Sequence, residues 1–231
     1  MFHPKLAAVR LTKYWTARLS LFGESAFLSM TVDGALQNDT SVLDTHFCEI
    51  LPNDKNGRRV IFYNRFRICT TQYDRDSLLR VAWYVIHQVS KEESAQKAGF
   101  VLLVDARQYT ILCFDRKLAK LLVHNWVHVI PIRMRALHIC CSSHRSIFEI
   151  VCPALKLIVG KVIRCRTIIH FSEDVKEILF DLEDYGINKK NLPTSLGGHY
   201  DSSIITQAEQ GTEQDPNMPA PFPIPSATAA P

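Results

Sequence analysis

FVLLVDA, residues 100–106, sets five apolar side chains in succession before its first charge. A strand with one solvated face alternates apolar and polar residues, so this run suits a strand covered on both faces, as in a parallel sheet. The flanking segments agree. Upstream, Leu78, Ala82, Val85, Ile86 and Val89 fall at i, i+4, i+7, i+8 and i+11, which predicts a long helix from about Asp74, ending in the charged KEESAQKAG and stopped by Gly99. Downstream, DRKLAKLLVHNWVHV predicts a helix over about 115–129, closed before Pro131, and RALHICC reads as a second covered strand. Residues 143–163 read as a further helix, TIIHFS as a third covered strand and EDVKEILFDLEDYG as a final amphipathic helix. RRVIFYNRFRI, following the turn signal PNDKNG, reads as the strand that opens the series. Strands and helices alternating at this spacing predict an α/β fold, a mostly parallel sheet of crossover units flanked by helices.

Outside this frame the chain is less regular. Residues 1–57 form a helical N-terminal segment: KLAAVRLTKYWTARLSLF places Leu6, Val9, Lys13 and Ala17 at helical spacing, Gly23 ends the helix, and a short helix is expected around 41–51. Residues 58–200 form the main domain. Residues 201–231 change composition abruptly, holding no Lys or Arg, four acids and, in the last 16 residues, six of the 11 prolines. Such a tail is expected to be disordered, with a protein that reads proline motifs as its possible partner.

At 231 residues and 47% hydrophobic composition the chain can bury one sizeable core. No run reaches the roughly 18 to 20 uncharged apolar residues of a membrane span, and the N-terminus lacks a signal-peptide core, so a cytoplasmic protein is expected. The seven cysteines are odd in number, lack CxxC spacing and lie mostly in apolar runs, which suits reduced core thiols. Setting aside the four tail acids raises the net charge from +4 to +8, an excess that points to an anionic partner.

Within 143–163, Ile147, Ile150, Val151, Ala154, Leu155 and Ile158 form one apolar stripe, widened by Phe148 and Val159. Pro153 inside it removes a backbone hydrogen bond and is expected to bend the helix. Lys156, Lys161, Arg164 and Arg166 follow. An apolar bent helix with a basic end can either cover a cavity and swing at a membrane or serve as an ordinary core helix.

The succession GRRVIFYN, FVLLVDA, HVIPIRMRALHICC leading into SIFEIVCPALKLIVG, RTIIHFS and NLPTSLGG resembles the CRAL-TRIO lipid-binding family over roughly residues 58–199. The resemblance implies a lipid cavity under a mobile gate helix, preceded by a shortened helical N-terminal segment. Asp105 matches the acid that closes a central strand, Pro131 the proline before the next strand, Pro153 the proline of the gate, and LPTSLGG the signature that ends the domain. Arg166 stands where many members have a lysine. Cys140-Cys141-Ser142 departs from the usual Asn-x-Pro.

On this resemblance the lipid contacts are Phe148, Val151, Leu155 and Ile158 on the gate, with Val104 and Ile139 on the sheet. Lys156, Lys161, Arg164 and Arg166 are the headgroup or membrane contacts. The implied function is non-enzymatic: one phosphoinositide, other phospholipid, sterol or isoprenoid held internally and exchanged at an anionic membrane, the protein being peripheral and monomeric. No cofactor, metal or nucleic acid is expected. The alternative is a protein-interaction module of the same fold with a degenerate pocket.

Enzymatic readings find less. His138, Cys140, Cys141 and His144, with His170, offer zinc-type atoms at a spacing that fits no usual pair, and His138 and Cys140 share a strand face from which Cys141 points away. There is no GxSxG and no GxGxxG after a strand.

Overall fold

The computed structural model describes residues 3–68, 73–110, 113–142, 152–158 and 160–200. Among them five strands form one sheet in chain order: β1 (Cys48–Leu51), β2 (Arg59–Tyr63), β3 (Phe100–Asp105), β4 (Met134–Cys141) and β5 (Thr167–Phe171). The pairs β2–β3, β3–β4 and β4–β5 are parallel, and β1–β2 is antiparallel. All six side chains of β3 are buried, as its unbroken apolar run requires.

Helices cover both faces. Ile61, Leu102, Leu137 and Ile139 share a core with Trp83 and Ile86 of α2 (Arg75–Lys91) and Leu118 of α4 (Arg116–His124), and α1 (Pro4–Phe22) packs onto that same core. Phe62, Val101, Leu103 and Cys140 face the opposite way, onto Ile178 and Leu182 of α7 (Val175–Asp184). The alternation of partners along β4 is the two-residue period of a strand, and it sends Cys140 and Cys141 to different cores. Two N-caps fix helix starts: Asp74 accepts from the amides of Asp76 and Ser77, and Asp115 accepts from that of Leu118. A short helix α3 (Glu93–Ala98) leads into β3.

The LPTSLGG turn closes the domain. Leu192 and Leu196 are fully buried in the α7-side core. Gly197 sits at φ 85, a left-handed angle, and a Cβ there would meet Val175 Cγ1 at 2.7 Å. A Cβ on Gly198 would come within 2.0 Å of the Leu192 carbonyl oxygen, so only glycine fits. The turn is also tied to the sheet: Arg107 donates to the Ser195 carbonyl at 2.7 Å while gripping the buried carboxylate of Asp105 through Nε and Nη2, both at 2.9 Å.

The structure departs from the sequence reading in several places. RRVIFYNRFRI is a strand only over Arg59–Tyr63 and turns into a 3-10 helix at Arg65–Ile68, the helix expected to run to Gly99 is interrupted at Glu92, and β5, read as a covered strand, lies at the end of the sheet with Phe171 exposed. The helix expected around 41–51 is a single 3-10 turn, Leu43–Thr45, followed by strand β1, because β2 offers a free edge that local periodicity cannot show. The helix over 115–129 is α-helical only to His124 and continues as a π turn, Asn125–Val129. The helix over 143–163 is broken at Gly160, φ 68, into α5 (Cys152–Ile158) and α6 (Gly160–Arg164). Its first part, with Phe148 and Val151, lies outside the described residues, as does any bend before Pro153. The face of α1 is also different. Tyr14, Arg18 and Phe22 are buried, whereas Leu6 and Val9 are exposed at 65% and 54%, because the bulky aromatic edge wins the packing.

A further departure concerns the thiols. Cys48, Cys140 and Cys141 are free and buried, and Cys165 is free and exposed, but Cys113 is disulfide-bonded.

Candidate functional site

Two spaces open on the face of the sheet shared by α1, α2 and α4. Val104 and Ile139, directly paired between β3 and β4, line the first with Tyr63, Tyr109, Leu122 and Trp126. Its volume is about 70 Å³. That is far below the ~300 Å³ at which ligand pockets begin. The sheet residues expected to touch lipid are thus brought together, and the described residues leave them little room.

The second space is a cleft of about 1110 Å³ between α1 and the segments that enter β4 and β5. Among the described residues its lining holds six cations, Arg10, Arg18, Lys97, Arg133, Arg135 and Arg166, and no acid. Apolar walls, including Leu11, Tyr14, Trp15, Ile132 and Ile163, stand between them. Adjacent residues of the π turn divide the two spaces: Trp126 lines the small cavity and Val127 the cleft.

Each cation is held differently. Arg10 reaches across from α1 to donate to the carbonyls of Val127 and Ile130 at 2.8 and 2.7 Å. Arg18 is 6% exposed, donates to Tyr14 Oη and the Leu28 carbonyl, and keeps Nε buried with no hydrogen-bond partner among the described residues. Arg135 donates to the Ala98 carbonyl, and Arg166 to the Met134 carbonyl at 3.3 Å. Lys97 pairs with Glu93, while the other five cations have no carboxylate partner among the described residues.

Burial first and then the charge of Arg133 push the pKa of Arg10 down. For Arg135 the causes are burial, then Arg133 and Arg166. His87, on the wall, is lowered to about 4 by burial and by Lys91 and Arg18, and so is neutral at pH 7. Cations that depress one another around open space form a site that an anion would relieve.

Of the residues expected to meet a headgroup, Arg166 lines this cleft, while Lys161 and Arg164 are exposed and lie outside its lining. The side chains of Leu155 and Lys156 lie outside the described residues, and Ile158 is half-buried. Arg10, Arg18, Lys97, Arg133 and Arg135 went unread because they come from separate segments. The signals were the RMR at 133–135 and the absence of any acid from α1.

The opposite face of the sheet holds a different cluster. His138 and His170 stack at 5.2 Å and share a hydrogen bond of 2.9 Å between Nδ1 and Nε2. His170 Nδ1 lies 3.6 Å from Asp181, and the Tyr185 ring meets His138 edge-on at 5.0 Å. Burial, then His170 and Arg58, lower His138 to about 3. No three His, Cys, Asp or Glu side chains among the described residues are placed to hold a metal, and His144 lies outside them.

The parallel sheet, the turn at 192–198 and the strand-closing Asp105 agree with a match to the CRAL/TRIO domain family over residues 43–198. The chain belongs to the CRAL/TRIO family. It therefore carries a domain of a lipid-binding class. Among solved structures, that of Sfh5 superposes with a TM-score of 0.53 at 12% identity, covering 90% of this chain and 83% of the other. At that identity the likeness speaks for the fold alone. No curated protein sequence matches the chain significantly. The family match begins at residue 43, so the wall that α1 gives the cleft lies outside the CRAL/TRIO region proper. No helix among the described residues is long and apolar enough to cross a membrane.

Proposed function

We propose that this CRAL/TRIO protein binds one anionic lipid, its phosphate in the cationic cleft, and exchanges it at an anionic membrane surface without chemistry on the ligand. The observation that carries this reading is the cleft, with six cations, apolar walls and, among the described residues, no acid around about 1110 Å³. Arginine suits a phosphate because its planar fork donates two parallel hydrogen bonds, and Arg133 and Arg166 have donors left for that purpose. A 16-carbon acyl chain gains on the order of 12 kcal/mol on leaving water, at ~0.8 kcal/mol per methylene. Such a ligand does not escape into solvent at a useful rate, so exchange belongs at a bilayer. There each cation near an anionic leaflet contributes roughly 1 kcal/mol.

The test is native mass spectrometry of the chain purified from a eukaryotic host, with extraction of what is bound, for the wild type and for Arg133→Gln/Arg166→Gln. A co-purified phospholipid that the double variant loses supports the reading. A lipid without phosphate, or one retained equally by the variant, overturns the headgroup role.

The volume of about 70 Å³ beside Val104 and Ile139 favours a second reading, a protein-interaction module with a degenerate pocket. A folded chain that emerges empty and ignores liposomes decides for it.

A further inference from the structure

The outer surface of α1 is left unexplained by the fold. Leu11, Trp15 and Leu19, at i, i+4 and i+8, form one stripe and are exposed at 58%, 38% and 41%. Trp15 stacks on Phe27, ring centroids 6.1 Å apart and planes 20° from parallel, which joins Phe27 to the stripe, and Leu28 follows Phe27 in the chain. Those two are 67% and 49% exposed. Isolated apolar residues on a surface are ordinary, but a helical stripe of three extended by a stacked ring beside a cleft calls for a partner.

The charge around the patch says which kind. The 19 residues of α1 include Lys5, Arg10, Lys13 and Arg18 and no acid, and the exposed Glu24 stands just beyond its end. The Arg18 guanidinium lies 5.2 Å from the Trp15 ring, so the aromatic edge of the stripe abuts a cation. Leu11 and Trp15 also line the cleft, and the patch is thus continuous with the cationic lining formed by Arg133, Arg135 and Arg166. A second copy of the chain would set one acid-free helix against another. An anionic bilayer accepts both halves of the surface: apolar side chains at the acyl boundary, tryptophan at the interface, cations among the headgroups.

We propose that α1, with Phe27 and Leu28, is the face by which the protein lies on an anionic membrane, so that the bilayer meets the mouth of the cleft. This rests on the lipid-carrier reading only for its purpose, because the surface is defined by α1 and not by the cavity. The segment lies before the matched family region, and family membership alone does not assign it.

The experiment uses the whole chain with vesicles of phosphatidylcholine alone and of phosphatidylcholine with phosphatidylserine, read by co-sedimentation. The variants are Leu19→Asp/Phe27→Asp and, as a gentler pair, Leu19→Ser/Phe27→Ser, neither residue lining the cleft; thermal melts verify folding. The wild type should bind the serine-containing vesicles, and the aspartate pair should lose roughly tenfold or more of that binding, the serine pair less.

Vesicle binding lost in the variants with co-purified lipid unchanged supports the proposal, and α1-dependent vesicle binding by a chain purified empty supports it while removing the carrier reading. Wild-type binding in both variants overturns it and leaves the carrier reading in place. A dimer that dissociates in the Phe27→Asp pair, without vesicle binding by the wild type, also overturns it and assigns the face to a second copy.

Discussion

His138 provides a stability experiment whose size follows from the structure. Its ring is 1% exposed and its pKa is lowered to about 3, so the folded chain keeps it neutral at pH 5.5. In the unfolded chain a histidine titrates near ~6.5. Between pH 7.5 and 5.5 the unfolded state therefore takes up protons that the native state refuses, and stability falls as pH falls. Integrating that difference gives about 1.4 kcal/mol from His138 alone. His170, also buried with a lowered pKa, and His87, lowered to about 4, add in the same direction.

The perturbation is His138→Asn, which keeps a hydrogen-bonding atom near the position of Nδ1 and removes the titration. Urea unfolding at the two pH values should show the wild type losing at least ~1.4 kcal/mol and the variant losing about 1.4 kcal/mol less than the wild type. Equal pH dependence of the two proteins would refute the assignment of a neutral buried His138. So would a wild type whose stability does not change over this range.

Gly198→Ala should cost about 2 kcal/mol or more, since the new Cβ overlaps the Leu192 carbonyl; in a domain of this size that is a fall in Tm of ~4–8 °C by calorimetry. Arg107→Ala strips the buried Asp105 carboxylate of its ion pair and should cost ~3 kcal/mol in urea unfolding, part of it restored by a second change, Asp105→Asn. Arg133→Gln/Arg166→Gln should weaken binding to phosphatidylserine vesicles roughly 30-fold, at ~1 kcal/mol per charge, and leave neutral vesicles unaffected. Raising the salt from 0.1 to 1 M should weaken the wild type towards the variant as the Debye length falls from ~10 to ~3 Å.

The sequence by itself determined the elements with strong local signals. FVLLVDA had to be a covered strand, the stripe from Leu78 to Val89 a helix, and LPTSLGG a tight turn, because period, composition and glycine geometry act over a few residues. Asp105 closes β3, Pro131 precedes β4 and Arg166 stands immediately before β5, as the family resemblance implied. Strand β1 was decided by tertiary structure, since its pairing partner lies beyond the intervening turn. So was the buried face of α1, where Tyr14 and Phe22 pack on Trp83.

The candidate site divides along the same line. Val104 and Ile139 were named from the family resemblance, and the register that pairs them came from the sheet. The cationic cleft could not be read in this way. Arg10 and Arg166 are more than 150 residues apart along the chain and become neighbours of one space only when α1 folds across the entries to β4 and β5. Periodicity reports which way a side chain faces from its own element. Which charges share a volume is set by the packing of elements on one another, and only the folded chain contains that information.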